Sequence, residues 1–305
     1  MIEAKRRART TVPGWACAAV LALVSSATAE APPRQAVVIG AVENMYSAPH
    51  PDKDVVSQAL MGQVVAVLSS RDGFLHIETP DRYQGWIPVA ALFEYPDAKA
   101  PRYGARGTLV EITSLMANLY RDPDVTTARP KAQGPLGARL ELVKPAEDPA
   151  RRWVTVRLPS GEIAYVQSGD VRLREAGAPR PRGSEADLVA TARRFTGVPY
   201  LWGGMSAQGL DCSGLVSQVY AFHGVDLLRD ADLQFDDPRA RPVERADLRP
   251  GDLVFFGAKK ITHVGLYAGD GRFINATTHT RPDVHEESLD DPYWVALYRG
   301  ARRPQ

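Results

Sequence analysis

Cys212 is the residue whose side chain is best suited to act as a nucleophile. Apolar residues follow it at Leu215, Val216, Val219 and Tyr220, a spacing that predicts a helix with one face on a core. At the N-terminus of that helix, free backbone N–H groups and the helix dipole are expected to lower the cysteine pKa from about 8.5 and favour the nucleophilic thiolate. The alternative is a small buried apolar residue, a common role for a lone cysteine.

A histidine and an amide stand on two predicted strands later in the chain. His263 begins a strand that ends at Gly269, and Asn275 lies on the returning strand. An odd-numbered loop centred on Gly269 would set His263 opposite Asn275, with Cβ atoms about 4.5–5.5 Å apart. A two-residue turn at Asp270-Gly271 would instead set it opposite Thr278.

A thiol, an imidazole and an amide are the groups of a thiol peptidase. His263 would take the Cys212 proton and later protonate the leaving amine, while Asn275 would orient the ring. His279 is the reserve for that third role. The other histidines lack this placement and are expected at the surface or in the core: His50, His76, His223 and His285. No cysteine or histidine cluster has metal-ligand spacing, so we expect no catalytic zinc and no cofactor.

The N-terminal segment predicts export. Basic residues come first, followed by an apolar run from Trp15 to Val24 and a small-residue site that ends at Ala29. This pattern is typical of a secretory signal peptide over residues 1–29. The run is shorter than the roughly 20 residues that a membrane span needs, so an uncleaved anchor is the minor alternative. We therefore expect a periplasmic or extracellular protein with no stable membrane anchor.

Cysteine usage favours a reactive thiol, and the charge balance excludes a typical nucleic-acid-binding protein. Cys17 leaves with the leader, so Cys212 has no partner for a disulfide in its own chain. Structural cysteines in an oxidising compartment usually occur in pairs, which makes a lone thiol more typical of a reactive group. The chain of 305 residues carries 37 basic and 36 acidic residues, long enough for two or three domains. This balance predicts no nucleic-acid partner.

Short alternating apolar runs fill residues 36–95 and return about 75 residues later. Two tandem β modules, residues 36–98 and 104–175, are the favoured interpretation, with one irregular β domain as the alternative. The matching segments are Asn44-Met45-Tyr46 with Asn118-Leu119-Tyr120, Val65–Leu68 with Leu140–Val143, Phe74–Ile77 with Trp153–Val156, and Gly85-Trp86-Ile87 with Ala164-Tyr165-Val166.

A third domain follows a Pro/Gly-rich linker over residues 176–184. Ser184 predicts an N-cap for a helix from about Glu185 to Thr196. The cysteine helix should stop near Gly224, which suits the position after a helix end. With the strands that carry His263 and Asn275, residues 185–305 predict an α+β domain.

Six segments of the third domain together form a recognisable pattern: Pro199–Gly204, Asp211–Leu215, Leu248–Phe256, His263–Tyr267, Gly271–Ile274 and Asp291–Trp294. On these segments, residues 185–303 resemble the NlpC-type cysteine peptidases, and the two β modules resemble bacterial SH3-like domains. The resemblance implies a reduced papain-like catalytic fold preceded by two small SH3-like β-barrels. In this family the third polar residue, twelve after the base, is most often histidine, so Asn275 is a departure.

The resemblance also implies roles near the thiol. Cys212, His263 and Asn275 would be catalytic. Tyr200 would help to stabilise the oxyanion, with packing as the alternative. The residues expected to line the substrate site are Asp211, Ser213 and Trp202.

A narrower similarity is to γ-D-glutamyl-L-diamino acid endopeptidases, which cut murein stems whose L-alanine amine is free. Asp230 would pair with that ammonium, and Tyr83 would close the site from the first module. The alternatives are a hydrolase of intact glycan-linked stems, a non-catalytic wall-binding protein and a thiol acyltransferase. We expect a monomer whose partner is a murein peptide.

Overall fold

The computed structural model describes residues 34–97, 99–144 and 152–305. The predicted leader, residues 1–29, lies outside the described residues. The described residues belong to one compact unit. In the described part of the chain, no helix is long and apolar enough to span a bilayer.

The first module is a seven-stranded antiparallel sheet in the order β3-β2-β6-β5-β4-β1-β7. Alternate residues point inward, so Leu75 and Ile77 of one strand pack with Ile87 of the next in a closed apolar core. The strands are β1 (Arg34–Val38), β2 (Val42–Tyr46), β3 (Val55–Leu60), β4 (Val64–Arg71), β5 (Phe74–Glu78), β6 (Gln84–Pro88) and β7 (Leu92–Glu94).

The second module repeats this arrangement in the order β10-β9-β13-β12-β11-β8-β14, which is the first order advanced by seven. The internal repeat in the sequence therefore reappears as one shared strand order. Its strands are β8 (Thr108–Ile112), β9 (Met116–Tyr120), β10 (Pro130–Pro135), β11 (Arg139–Lys144), β12 (Trp153–Arg157), β13 (Ile163–Gln167) and β14 (Val171–Glu175).

The third part packs helices against a six-stranded antiparallel sheet in the order β17-β22-β18-β19-β20-β21. Two helices, α1 and α2, contribute to an apolar core with β19 and β20. The elements are α1 (Glu185–Arg194), β15 (Met205–Ser206), β16 (Gly209–Leu210), α2 (Cys212–Phe222), α3 (Ala231–Asp236), β17 (Ala240–Val243), β18 (Leu253–Phe256), β19 (His263–Gly269), β20 (Arg272–Thr277), β21 (Asp283–Ser288), α4 (Pro292–Leu297) and β22 (Tyr298–Pro304).

The helix ends follow local sequence signals. Ser184 caps α1 in a capping box with Asp187, as the sequence predicts. Helix α2 ends at Phe222, and Gly224 two residues later has φ +78°, a left-handed conformation that favours glycine. Both predicted helices are confirmed.

The hairpin that carries the histidine differs from both predicted registers. Gly269 pairs with Arg272 around a two-residue turn, but the register shifts next to Ala268, so that Leu266 pairs with Ile274. This bulge moves His263 to the level of Thr277, neither opposite Asn275 nor opposite Thr278. The predicted registers are wrong because a bulge inserts one unpaired residue that no turn rule specifies.

An arginine of the linker joins the second module to the cysteine helix. The Arg180 guanidinium donates to Glu111 of β8 at 2.7 Å, to the Gly137 carbonyl at 2.8 Å and to the Ala221 carbonyl of α2 at 2.9 Å. Glu111 is fully buried and also accepts from Arg172 at 2.6 Å. Through Arg180, the second module is therefore hydrogen-bonded to the C-terminal end of α2, the helix whose first residue is Cys212.

Candidate active site

Cys212 is the first residue of α2, as predicted, and its side chain is only slightly exposed. Asp211 is the N-cap, and its Oδ1 accepts the Gly214 N–H at 2.7 Å. The Cys212 sulfur itself accepts from the backbone N–H groups of Ser213 and Val264. Because Val264 follows His263 in β19, this contact brings the histidine strand beside the thiol.

The Cys212 thiol is less acidic than its place at the start of a helix suggests. Burial, reinforced by the negative charge of Asp211, raises the pKa of Cys212 to about 12, although the two N–H donors and Arg229 oppose the rise. The expected lowering of the pKa is therefore wrong for the resting protein. Loss of hydration outweighs the helix dipole, whose effect is typically about 0.3–1 kcal/mol. Cys212 is a neutral thiol at neutral pH.

His263 is also neutral at rest. Burial lowers the pKa of its imidazole to about 4, against opposing contributions from Asn275 and Asp211. The ring stacks on Trp294, with centroids 5.0 Å apart and planes 23° apart. Its Nε2 lies 2.8 Å from Asn275 Oδ1, so Nδ1 is the nitrogen left for proton exchange. The predicted partnership of these two residues is present, through a diagonal contact across β19 and β20.

Three polar groups hold Asn275 inside the sheet, where it is fully buried. Its Oδ1 faces His263, while its Nδ2 lies 3.3 Å from both the His285 carbonyl and Glu287 Oε2. Since the last two groups only accept hydrogen bonds, the amide nitrogen must face them. Asn275 therefore accepts the Nε2–H of His263 and leaves the Nδ1 lone pair free as a base.

A buried ion pair lies directly behind the thiol. Arg229 is 1% exposed and binds both oxygens of Asp211, at 2.6 and 3.1 Å. It also donates to Ser213 Oγ and, across the module boundary, to Ser57 Oγ of β3, both at 2.9 Å. Sequence reasoning assigned a role to Asp230 beside it but none to Arg229, because no local pattern signals that an arginine is buried.

The side chains of Asp211 and Ser213 are committed to this internal network. Asp211 also accepts the Gly203 N–H at 2.9 Å, and Ser213 Oγ donates to Asp211 at 3.2 Å. Gly203 has φ +76°, and a Cβ there would approach Val55 Cγ1 to 3.0 Å. Substrate contact by Asp211 and Ser213 stays a prediction.

The first module reaches the site through Tyr83. The Tyr83 hydroxyl donates to Asp230 Oδ2 at 3.1 Å, across 147 positions of sequence. Burial raises the pKa of Asp230, partly offset by Arg229, and burial together with the Asp230 charge raises the pKa of Tyr83 to about 12. Within the described residues no basic side chain forms a salt bridge with the Asp230 carboxylate.

Two aromatic residues of the loop before the helix differ in exposure. Tyr200 is half-buried, and this burial raises the pKa of its hydroxyl. Trp202 is 69% exposed, so it is not part of the core.

His279, the reserve for the third catalytic role, stacks on Tyr293 with centroids 3.6 Å apart instead of bonding to His263. In residues 34–97, 99–144 and 152–305, no group of three or more histidine, cysteine or carboxylate side chains could hold a metal ion.

Two family models match separate parts of the chain. The NlpC/P60 family model matches residues 197–303, and the model described as bacterial dipeptidyl-peptidase Sh3 domain matches residues 45–92. The crystal structure of an NlpC/P60 family protein from Bacillus cereus superposes with a TM-score of 0.77. It is 24% identical and covers 88% of this chain and 99% of its own, which shows a shared fold.

Two relatives are named gamma-D-glutamyl-L-lysine dipeptidyl-peptidase. The one from Bacillus cereus is 31% identical over 259 residues, or 81% of this chain and 74% of that protein. The one from Bacillus subtilis is 38% identical over 237 residues, or 74% of this chain and 73% of that protein. At these identities, over most of the length of each protein, the chain belongs to the NlpC/P60 family of cysteine peptidases and joins an NlpC/P60 catalytic domain to an SH3-like domain.

Proposed function

We propose that the protein is an exported endopeptidase that hydrolyses the γ-D-glutamyl–diamino acid bond of murein peptides with a free N-terminal L-alanine. Two relatives whose names specify γ-D-glutamyl-L-lysine dipeptidyl-peptidase activity support the bond. The observation that carries the amine requirement is the Tyr83–Asp230 contact between the first module and the catalytic domain.

The amine requirement follows from the electrostatics of Asp230. Its carboxylate is partly desolvated and has the Tyr83 hydroxyl as a neutral partner. A substrate ammonium would supply a charge-assisted hydrogen bond, which is stronger than a neutral one. An N-acetylated stem would bury the carboxylate without a cation, a costly arrangement. Asp230 would therefore select stems with a free amine.

The catalytic cycle uses the neutral Cys212–His263 pair. The thiol proton passes from Sγ to His263 Nδ1 as the sulfur attacks the γ-glutamyl carbonyl carbon. Backbone N–H groups at the start of α2, with Tyr200, would stabilise the oxyanion. The imidazolium then donates its Nδ1 proton to the leaving amine. In the second half, His263 takes a proton from water at Nδ1 while the water oxygen attacks the thioester carbonyl carbon. The carbon–sulfur bond then breaks, L-Ala-D-Glu is released, and the Nδ1 proton returns to Cys212 Sγ.

The remaining assignments belong to the same proposal. Residues 1–29 would be the leader, residues 36–98 and 104–175 two SH3-like barrels, 176–184 the linker and 185–305 the catalytic domain. Support for the second barrel comes from its strand order, which matches that of the first. Trp202, exposed in the loop before the cysteine helix, would form a wall of the substrate pocket.

The decisive experiment is mass-spectrometric product analysis of the mature protein with L-Ala-γ-D-Glu-diaminopimelate and its N-acetylated form. We expect L-Ala-D-Glu and free diaminopimelate from the first peptide alone, and none from the Cys212→Ala variant. Equal cleavage of both peptides would reject the amine requirement and favour a hydrolase of intact stems. Cleavage of neither would reject the hydrolytic proposal in favour of wall binding or acyl transfer.

A pair of variants assigns the selectivity to a residue. Asp230→Asn should raise KM for the free-amine peptide by about tenfold or more, the loss expected for one charge-assisted hydrogen bond. Asp232→Asn is the matched control, because Asp232 is exposed on α3 and accepts the Leu233 N–H at 3.0 Å. Equal KM values for the two variants would show that Asp230 does not contribute to substrate recognition.

A further inference from the structure

Glu287 of β21 lies behind the catalytic pair, one strand beyond Asn275. Its Oε2 is 3.3 Å from Asn275 Nδ2, and its side chain is only 10% exposed. His263, Asn275 and Glu287 thus form a diagonal row across the adjacent strands β19, β20 and β21. Each contact joins an electron-rich oxygen of one side chain to a nitrogen of the next.

The chemistry of the amide makes this row directional. If the Asn275 amide turned over, its oxygen would face the His285 carbonyl and the Glu287 carboxylate, neither of which has a proton to donate. Its NH2 group would then face His263 Nε2 and would require a lone pair there. The proton of the neutral imidazole would then sit on Nδ1. In that form Nδ1 has no lone pair free to accept the thiol proton. Glu287 opposes this flip with a full negative charge.

The environment of Glu287 leaves that charge available to the amide. Oε1 lies 3.4 Å from the Thr280 hydroxyl and 3.6 Å from His285 Nε2. The other ring nitrogen of His285 is already 2.7 Å from Asp283 Oδ1. No lysine or arginine in the described parts of the chain forms a salt bridge with Glu287.

Glu286, the preceding residue, provides a direct contrast. Its side chain points to the opposite face of β21, where Arg193 at 2.7 Å and Arg272 at 3.3 Å hold it. The strand therefore carries two neighbouring carboxylates, one neutralised by arginines and one directed at the catalytic amide.

We propose that Glu287 is a positioning residue that fixes the orientation of Asn275 and, through it, the Nε2–H form of His263. Its charge also polarises the amide, which strengthens the acceptor for the imidazolium formed when Cys212 gives up its proton. The proposal rests on the cysteine-peptidase mechanism above and does not depend on the murein bond that is cut.

The test uses two measurements that need no peptide substrate. The first is the rate at which iodoacetamide alkylates Cys212 at pH 7, followed by mass spectrometry of the peptide that contains Cys212. The second is the 15N spectrum of histidine-labelled protein, in which His263 is assigned by comparison with His263→Gln. We expect Glu287→Ala to lower the alkylation rate by about tenfold, as for one charge-assisted hydrogen bond, and to reduce the Nε2–H signature.

Two further variants keep the result interpretable. Glu287→Gln fills the same volume and retains an acceptor oxygen, so it should lie between Glu287→Ala and the wild type. Glu286→Gln makes the same chemical change on the other face of the strand and should match the wild type. If Glu287→Ala and Glu287→Gln both keep the wild-type tautomer and alkylation rate, the proposal is overturned. Where peptide cleavage is observed, kcat should fall with the alkylation rate while KM stays near its wild-type value.

Discussion

Arg229 and Asp211 form a bidentate ion pair directly behind Cys212, with contacts of 2.6 and 3.1 Å. The pair is buried, and Arg229 Nε also donates to Ser57 Oγ of the first module at 2.9 Å. Asp211 in turn caps the helix that begins with Cys212. Hydrogen bonds therefore connect the first module, through the ion pair, to the start of the cysteine helix.

Removal of the Arg229 guanidinium should destabilise the protein strongly. Arg229→Met leaves the buried Asp211 carboxylate without its cation, a change that typically costs about 3–5 kcal/mol. We expect this loss in the free energy of unfolding, measured by urea denaturation. Arg34→Met is the control, since Arg34 forms an exposed pair with Glu94 at 2.7 Å and should change stability by less than about 1 kcal/mol. Similar losses in the two variants would contradict the importance of the buried pair.

Equivalent glutamines in the two modules allow a test of the contact between the first module and the catalytic domain. Gln58 donates to Asn44 at 3.0 Å, and its Oε1 accepts the buried Met205 N–H at 2.9 Å. Gln133 makes the equivalent bond to Asn118 at 3.1 Å but is exposed. Gln58→Leu should lower the free energy of unfolding by about 1–3 kcal/mol, because it leaves the Met205 N–H unpaired.

Gln133→Leu breaks only the bond within its module and should have a smaller effect in the same urea titration. Peptide cleavage should fall only in Gln58→Leu, since Met205 belongs to the segment that leads into the cysteine helix. Equal effects of the two substitutions would show that the Met205 contact does not hold the module in place.

The acid limb of the pH profile should reflect the buried imidazole. Below its pKa, His263 carries a proton on Nδ1 and cannot accept the one from Cys212, so kcat/KM falls as the pH falls. Because burial lowers that pKa to about 4, the loss due to His263 should occur well below the ordinary imidazole value of about 6.5. The measurement is kcat/KM from pH 4 upward.

Asp230 adds to the same limb from the substrate side. Its pKa is raised by burial, and protonation would remove the partner of the substrate ammonium. The Asp230→Asn variant isolates the contribution of His263. A midpoint near 6.5 in that variant would contradict the buried neutral state of His263.

The diagonal contact predicts which residue of β20 matters for catalysis. Asn275→Ala removes the partner of His263 Nε2 and should lower kcat by about 10- to 100-fold, as expected when a catalytic base is misaligned. Thr277→Ala alters the residue at the level of His263 in the strand register, but Thr277 Oγ1 accepts a hydrogen bond from the His279 N–H. It should leave kcat near the wild-type value; a larger loss in Thr277→Ala than in Asn275→Ala would contradict the diagonal arrangement.

The sequence alone determined the features that depend on near neighbours. The place of Cys212 at the start of a helix, the Ser184 cap and the end of α2 before Gly224 all follow from side-chain periodicity and the hydrogen-bonding needs of helix ends. The duplicated β pattern likewise appears as one repeated strand order. These signals lie within a few residues of the feature they specify, so they can be recognised without knowledge of the fold.

The tertiary structure decided what depends on residues distant in the chain. Burial reverses the expected pKa shift of Cys212, because desolvation is set by every element packed around the sulfur. The bulge at Ala268 changes which residue of β20 lies level with His263 in the strand register, and the fold buries Arg229 against a strand of another module. Glu287 has no motif to mark it; only the packing of β21 beside β20 brings its carboxylate to Asn275. Contacts between distant segments are selected by the whole fold, and they set the protonation and orientation of Cys212, His263 and Asn275.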